Sequence, residues 1–143
     1  MKIILDPSEA HLAKLKSLPE DEPVAALNLF HFNARAQYQS EDPEFGTAEA
    51  DVSGQEAFAK YGAIAGKIIA GVGGRVVFST PVVQMMIGPD DAAWEQAAIM
   101  FFPTRRAFMQ LLSDPEFKSA SRHRKAALAN HRMIHLDGNP FVD

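Results

Sequence analysis

The sequence predicts an α+β fold built on a four-stranded antiparallel sheet. Two runs, Val24–Phe32 and Ala97–Phe102, are apolar without alternation, which is typical of strands covered on both faces. From Ala57 to Val72 the apolar residues recur at steps of three and four, which indicates a helix that packs on a sheet. A polar, turn-rich stretch separates the first strand from this helix, and further strand and helix signals follow it.

The composition indicates one ordinary globular domain. The chain has 143 residues, of which 47% are hydrophobic and 22% are charged, and this is enough apolar material for one core. We expect a single domain over 1–143, with a helical N-terminal extension at 1–22, a core at 23–137 and a tail at 138–143.

Charge and residue usage argue against several classes of function. The formal net charge of −4 argues against nucleic acid as a partner, because phosphate binding needs a strongly basic surface. The absence of cysteine removes disulfides, thiolate metal sites and a cysteine nucleophile. The apolar part of Met1–Pro7 is too short for a signal peptide, and no apolar run is long enough to span a bilayer. We therefore expect a cytoplasmic protein with no membrane partner.

Three segments precede the periodic helix. Asp6-Pro7-Ser8-Glu9 combines capping residues with a proline and predicts the start of a first helix, which Pro19 ends. Val24–Phe32 is the first strand, central in the sheet because both of its faces are apolar. Asn33–Val52 is long for a loop, and such a loop is either a solvated insertion or a lid over a binding site.

The middle of the chain predicts a capped helix and then a long strand. Ser53 and Glu56 have the spacing of a capping box. Arg75–Gly88 predicts a strand that contains Pro81, and because proline donates no hydrogen bond the strand belongs at a sheet edge, with a bulge at the proline. A turn follows, and Trp94 is expected to begin the next strand and complete a hairpin.

The last third of the chain predicts helix and then strand. Thr104 is placed to cap a helix that runs through Leu112, and Ser113-Asp114-Pro115-Glu116 caps and restarts it. Arg132–Leu136 predicts the last strand. The complete order is strand, helix, strand, strand, helix, strand, which is the split βαββαβ, ferredoxin-like arrangement.

This arrangement places both long helices on one face of the sheet and leaves the other face open. Because the predicted strands are apolar on both sides, the open face needs a cover. A second copy of the chain is the simplest cover, so we expect a homodimer.

A set of residues spread over Asn28–Ile134 resembles a known family. The set comprises Asn28-Leu29-Phe30, Tyr38, Gly54, Glu56-Ala57, Tyr61-Gly62, Gly73-Gly74-Arg75, Ile87-Gly88-Pro89, Trp94, Pro103-Thr104-Arg105, Phe108, Asp114-Pro115-Glu116-Phe117, His123-Arg124 and Arg132. It is similar to the domain-of-unknown-function family 1330, a dimeric α+β barrel group. The resemblance implies a ferredoxin-like protomer and a homodimer whose two sheets face each other. It implies no reaction, although the wider superfamily includes cofactor-free monooxygenases, isomerases and haem enzymes.

Polar and aromatic residues are expected to gather at one end of the sheet, where the first strand ends and the third and fourth begin. They are His31, Trp94, His131 and Arg132, with Arg35 and Tyr38 on the loop that leaves this end. Arg75 and Arg105 are expected at the opposite end. Apolar walls with a few polar groups are typical of a small-molecule site.

The candidate site residues also have structural explanations. His31 and His123 are candidates for proton transfer, because histidine titrates closest to neutral pH. Ordinary hydrogen bonds also explain His31, and the helix dipole also explains the basic run Arg122–Lys125 around His123, which is alternatively a binder of an anionic substrate. The candidate ligand contacts are Asn28, Arg35, Tyr38, Tyr61, Trp94, Arg105 and His131. Packing alone also explains the two aromatic residues Tyr61 and Trp94. Arg105 lies in a first helical turn, where a cation is unfavourable, so it calls for a carboxylate partner, with Glu95 considered, or a ligand.

No motif identifies a reaction, a metal or a cofactor. The glycine run 71–74 follows a helix and precedes a strand, the reverse of a nucleotide-binding loop. No histidine pair has the spacing of a zinc hydrolase, and no serine elbow is present. Two hypotheses stay open. One is a homodimer that binds a small apolar or weakly anionic molecule between sheet and helices, with or without cofactor-free catalysis, and the other is a structural or regulatory dimer with no ligand site.

Overall fold

The structure is a computed structural model that describes residues 3–141. Its helices are α1 (Glu9–Ser17), α2 (Gly54–Gly71), α3 (Arg105–Ser113) and α4 (Pro115–Ala127), with a short 3₁₀ helix at Ala48–Ala50. Its strands are β1 (Val24–Phe32), β2 (Arg75–Pro81), β3 (Gln96–Phe102) and β4 (Leu128–Asp137). None of the helices in this part of the chain is long and apolar enough to cross a membrane. The first two residues of the expected extension and the last two of the expected tail lie outside the described residues.

The strands form one sheet in the order β2-β3-β1-β4, and every neighbouring pair is antiparallel. This order confirms the predicted α+β, ferredoxin-like fold. β1 lies in the middle of the sheet with its predicted bounds, between β3 and β4.

The predicted helix caps are present. The Ser53 side chain accepts a hydrogen bond from the Glu56 backbone N–H at 3.0 Å, and the Glu56 carboxylate accepts one from the Ser53 N–H at 3.3 Å, so the capping box is complete. The Thr104 hydroxyl oxygen caps α3 by accepting a hydrogen bond from the Ala107 N–H at 3.1 Å, without a reciprocal bond. Asp114 ends α3 and begins α4, where its carboxylate accepts from the Phe117 N–H at 3.0 Å.

The first helix is confirmed, with Ser8 as its cap. The Ser8 hydroxyl oxygen accepts a hydrogen bond from the His11 N–H at 3.1 Å. The helix is anchored through Leu15, whose side chain is buried in the core. Because Asp6 takes no part in capping, its carboxylate is available to contact α4.

The predicted long strand Arg75–Gly88 is wrong in its length. β2 ends at Pro81, so the expected hairpin is not formed as predicted, and Trp94 lies before β3 rather than at its first position. Proline cannot donate to the ladder, and the segment after it has no neighbouring strand on its outer side. The edge position is confirmed, but the irregularity in the pairing lies between Val76 and Phe78 rather than at the proline.

The last strand is longer than the predicted Arg132–Leu136. β4 begins at Leu128, directly after the last residue of α4, with no loop between them. A shift in register between His31 and Phe32 of β1 accommodates this early start. Pairing with β1 therefore overrides the weak strand propensity of the first residues of β4.

The core lies between the sheet and helices α2, α3 and α4. Alternate residues of β1, beginning with Val24, point towards the helices. One cluster surrounds Val24 and Phe102 together with Ile69 of α2 and Leu111 of α3. A second cluster, which we call the aromatic layer, comprises Phe30, Tyr38, Ala57, Ala98, Ala126, Ala127 and Leu128, with Leu5, Phe32 and Phe58 packed against it.

The opposite face of the sheet carries large apolar side chains that no helix covers. Phe78 of β2 is 43% exposed and Ile134 of β4 is 46% exposed. The ring of Phe141, in the C-terminal tail, packs on Phe101 at one end of this face, with ring centroids 5.9 Å apart. We call this surface the open face.

Helix α2 begins in close contact with two other backbone segments. A Cβ atom at Gly54 would lie 2.1 Å from the carbonyl oxygen of Asn33 and 2.7 Å from that of Ala127. Both neighbours are backbone atoms, so they cannot rotate away as a side chain would. By contrast, a Cβ atom at Gly62 in the same helix would meet no atom within 4 Å.

We predict opposite effects of alanine at these two glycines. Gly54→Ala should lower the free energy of unfolding by about 3 kcal/mol, because the methyl group forces the backbone apart. Gly62→Ala should raise it by about 0.5–1 kcal/mol, because alanine loses less backbone entropy in a helix. Urea unfolding of the two variants measures both effects, and equal stabilities would contradict the close contact.

Candidate functional site

The residues expected at one end of the sheet do meet there, but on different faces. The end of β1, the start of β3 and the start of β4 are adjacent. His31 lies on the open face, since it alternates with the helix-facing Phe30. His131 pairs directly with Phe30 and lies on the helix side. The candidate residues therefore form separate groups.

The open-face group contains the candidate His31. Its Nδ1 atom lies 2.8 Å from the Glu95 carboxylate, without the alignment that a hydrogen bond needs. The same Glu95 oxygen accepts a hydrogen bond from the Phe32 N–H at 3.0 Å. The guanidinium of Arg132 lies over the Trp94 ring at 5.6 Å. Both pairs are half-exposed and border the irregular segment 82–95.

The helix-side group is a buried hydrogen-bonded network of Asn28, His131 and Arg124. His131 Nε2 lies 3.0 Å from Asn28 Oδ1, and His131 Nδ1 lies 3.2 Å from an Arg124 Nη1 atom. Arginine can only donate, so Nδ1 is the acceptor and the ring proton is on Nε2, which donates to Asn28. The network therefore fixes the imidazole as one neutral tautomer.

Burial and charge both keep His131 neutral. Its pKa falls to about 3, first because burial disfavours the charged imidazolium and second because the Arg124 charge repels it. Asn28 is 2% exposed, and its amide nitrogen reaches the carbonyl of Ala26 at 3.3 Å.

Aromatic rings surround this network. Phe30 packs against the imidazole of His131, with centroids 4.8 Å apart, and against Phe58 at 4.7 Å. Tyr61 lies between Phe58 at 5.6 Å and Phe117 at 5.9 Å. Burial raises the pKa of the Tyr61 phenol, so it stays neutral. The network thus has the apolar walls and few polar groups that characterise small-molecule sites.

The N-terminal segment completes the surroundings of Arg124. The Leu5 carbonyl accepts from Arg124 Nη1 at 2.5 Å, and the Asp6 carboxylate accepts from Nη2 at 3.1 Å. Lys125 Nζ lies 2.9 Å from the second Asp6 oxygen. Partial burial acts to raise the pKa of Asp6, but Lys125 and Arg124 together hold it below its ordinary value, so the carboxylate is charged.

A third group holds the loop 33–52 against α4. The hydroxyl of Tyr38 lies 2.6 Å from Nδ1 of the candidate His123, and both side chains are buried. Arg122 makes two hydrogen bonds, of 2.8 and 3.0 Å, to the buried carboxylate of Glu44. Backbone bonds from Ala36 to Val52 and from Gln37 to Ala126 add to this attachment. The loop is therefore fastened at several points along its length.

Electrostatics keep the pair in this third group neutral. Burial, and then the charge of Arg122, lower the pKa of His123. Burial, and then the charge of Glu44, raise the pKa of Tyr38. The hydrogen bond with Arg122 lowers the pKa of Glu44, so the Arg122–Glu44 pair stays ionised next to a neutral imidazole and phenol.

Two candidate arginines lie away from these groups. Arg35 is exposed and pairs with the exposed Asp51. Arg105 lies at the opposite end of the sheet, as expected, and is 2% exposed. Its guanidinium donates to the carbonyl of Pro19 and to Asp137 at 3.2 Å, so its carboxylate partner is Asp137 rather than Glu95. These contacts account for its burial without a ligand.

The sequence analysis placed Arg124 beside His123 in the family set but did not make it a candidate site residue, although a signal was present. Phe117, Ala120, Arg124 and Ala127 are spaced by three or four residues and are all buried on one side of α4. A charged residue within an apolar stripe needs partners. Those partners, Leu5 and Asp6, lie at the other end of the chain, so no local pattern could identify them.

No group of three or more histidine, aspartate or glutamate side chains within residues 3–141 is arranged to hold a metal ion. On the helix side a positive charge, neutral polar atoms and apolar side chains lie together. Arg124 supplies a positive charge, His131 and Asn28 supply neutral polar atoms, and the aromatic layer supplies apolar contact.

We predict that His131 makes the stability depend on pH. Its pKa is about 3 in the folded protein and near 6.5 in the unfolded chain. The folded state therefore binds fewer protons, so this contribution is fully present above about pH 6.5 and is lost as the pH falls towards 3. Below about pH 6 the free energy of unfolding should fall by up to about 1.4 kcal/mol per pH unit from this residue.

Urea unfolding at several pH values between 7 and 4 measures this slope. His131→Asn should remove a large part of it, whereas His11→Asn, on the exposed side of α1, should leave it unchanged. Some slope should persist in His131→Asn, because the pKa values of His123 and His135 are also lowered. The same slope in His131→Asn as in the wild type would contradict the buried neutral imidazole.

Comparison with solved structures shows close relatives of this fold. A protein of unknown function from Rhodopseudomonas palustris matches with a TM-score of 0.83 at 30% identity, over 98% of this chain and 100% of that chain. Its methylated form matches with a TM-score of 0.83 at 31% identity, over 98% of each chain. A hydroxynitrile lyase from Passiflora edulis matches with a TM-score of 0.52 at 10% identity, over 86% of this chain and 99% of that chain, which shows a shared fold alone.

None of the curated proteins matches this chain. The model of a family described as a domain of unknown function, DUF1330, matches residues 44–139. That span includes Tyr61, Arg124 and His131, whereas Asn28 and Tyr38 precede it. The match covers well over half of the chain, and the chain therefore belongs to the DUF1330 family.

Proposed function

We propose that this protein is a homodimer that binds a small molecule with an apolar body and a weakly anionic group, in the layer between the sheet and helices α2 and α4. The observation that carries the proposal is the buried Asn28–His131–Arg124 network inside the aromatic layer. The polar contacts to the ligand would come from these three side chains, with Phe58 and Tyr61 as apolar walls.

The energetic cost of this network supports a functional role. A buried guanidinium loses its hydration. Apolar side chains of similar volume in place of a buried charged network often make a protein at least as stable. Packing alone therefore does not require Arg124, which is 7% exposed, or the buried amide of Asn28. Strongly shifted pKa values such as that of His131 are also more frequent at functional sites.

The proposal is one of binding and includes no catalytic step. The two candidate proton carriers do not reach the network. His31 lies on the open face, and Nδ1 of His123 is taken by the hydroxyl of Tyr38. Within residues 3–141, His131 is the one histidine that contacts Arg124, so any cofactor-free proton transfer in the proposed site would use His131.

The open face supports the proposed homodimer. It carries exposed Phe78 and Ile134, and the adjoining segment 82–95 carries Val83, Met86 and Ile87 at 96%, 80% and 90% exposure. An apolar surface of this kind is unfavourable in water and is typical of an interface. A second copy brings a matching apolar surface, so one symmetric contact covers both.

The rival hypothesis is a structural or regulatory dimer with no ligand site. The observation in its favour is that side chains of the protein itself fill the layer around Arg124, with Leu5 packed against the aromatic layer. A ligand in this layer must therefore displace part of the chain. Binding experiments distinguish the two hypotheses.

We predict a dimer that a charge on the open face disrupts. Wild-type protein should sediment as a dimer at micromolar concentration, and Phe78→Asp should sediment as a monomer because it places a carboxylate in an apolar contact. Phe45→Asp serves as the control, since Phe45 is 54% exposed in the loop 33–52. A monomeric wild type would contradict the proposed dimer, and a Phe78→Asp variant that stays dimeric would contradict the open face as its interface.

We also predict binding of small apolar carboxylates through Arg124. Titration with isovalerate or benzoate should move the NMR signals of the Asn28 side-chain amide and the His131 ring. Arg124→Lys should weaken binding by roughly tenfold, because lysine keeps the charge but loses the two-pronged contact. Arg35→Lys is the matched control and should bind as the wild type does. If no carboxylate moves these signals, the rival hypothesis is favoured.

A further inference from the structure

We infer that the N-terminal segment Ile3–Pro7 is a strap that closes the Arg124 site, and that the ligand it excludes is a monocarboxylate with a compact branched or aromatic apolar body. In the closed state, Leu5 and Asp6 stand where the ligand binds. The inference rests on the proposed function, because it names the ligand class and the regulation of the same site.

Two oxygen atoms of the strap contact the Arg124 guanidinium. Arg124 presents Nη1 to the Leu5 carbonyl at 2.5 Å and Nη2 to the Asp6 carboxylate at 3.1 Å. These two terminal nitrogens are one of the pairs through which arginine can hold both oxygens of a carboxylate. The strap therefore supplies, from two different groups, the two oxygen atoms that one ligand carboxylate would supply.

The side chain of Leu5 occupies the apolar part of the site. It packs against the aromatic layer, next to the guanidinium that its own carbonyl contacts. An isobutyl group and an oxygen pair thus lie side by side at the site. A ligand that replaces both would have the same two parts, which are a compact apolar body and a carboxylate.

The apolar attachment of the strap is limited to one side chain. Ile3 is 44% exposed and Ile4 is 68% exposed, so Leu5 is the main apolar anchor of residues 3–7. These residues have no regular secondary structure. Helix α1 begins at Glu9 and is anchored separately through Leu15 in the other core cluster. The strap can therefore open without displacing α1.

The cost of opening sets the selectivity. When the strap is released, the buried Arg124 keeps His131 as its hydrogen-bond partner within residues 3–141 but loses its carboxylate partner. A buried charge without an opposite charge is costly. An anion that takes both vacant positions removes this cost, whereas an alcohol of the same shape does not. The site should therefore select a carboxylate over the matching alcohol.

The test uses the full chain with isovalerate and isoamyl alcohol as probes, measured by titration calorimetry. A Leu5→Ala/Asp6→Ala double variant should bind isovalerate on the order of tenfold more tightly than the wild type, because the site no longer has to be vacated first. Asp6→Ala alone should shift the affinity in the same direction. Asp51→Ala, which removes the carboxylate beside Arg35, should leave the affinity unchanged. Isoamyl alcohol should bind neither protein.

Three outcomes overturn the inference in distinguishable ways. Equal affinity for isovalerate in wild type and both strap variants overturns the strap while the proposed site stands. Binding of isovalerate to the wild type with the Leu5 methyl NMR signals unshifted also overturns it, because the strap would have remained in place. No binding of isovalerate to any variant, with or without the strap contacts, overturns both the strap and the proposed function.

Discussion

A buried positive charge must find oxygen or nitrogen partners, and this requirement at Arg124 connects distant parts of the chain. The guanidinium lies on α4, and its partners come from the N-terminal segment and from β4. Through His131 the same network reaches Asn28 in the central strand. One charged side chain thus fixes the positions of four segments. The proposed ligand contacts are consequently positioned by elements on all sides of the site.

The sheet has a different constraint, because both of its faces are apolar and the chain supplies helices for only one. The helix side is filled by the two core clusters. On the open face, the tail covers only one end, where Phe141 packs on Phe101 and the Arg75 guanidinium lies 4.2 Å from the Phe141 ring. The two faces therefore have separate roles in the proposal. The proposed ligand site is on the helix side, and the proposed contact with a second copy is on the open face.

Local patterns predicted most of the fold. The bounds of β1, the Ser53 capping box and the shared cap at Asp114 depend on neighbouring residues, and each was predictable. The end of β2 at Pro81 was not, because strand length at an edge depends on whether a partner strand is present. Within the site, pattern reasoning identified His131 as a candidate but missed its link to Arg124, because a hydrogen bond across elements leaves no periodic signal.

The direct junction between α4 and β4 has a mechanical consequence. Ala127 ends the helix and Leu128 begins the strand, and the carbonyl of Ala127 also accepts a 2.7 Å hydrogen bond from Asn33. A rotation of α4 is therefore transmitted directly to β4, since no flexible linker absorbs it. Because β4 is an edge strand with Ile134 on the uncovered surface, a movement of the helix that carries Arg124 would also displace this part of the open face.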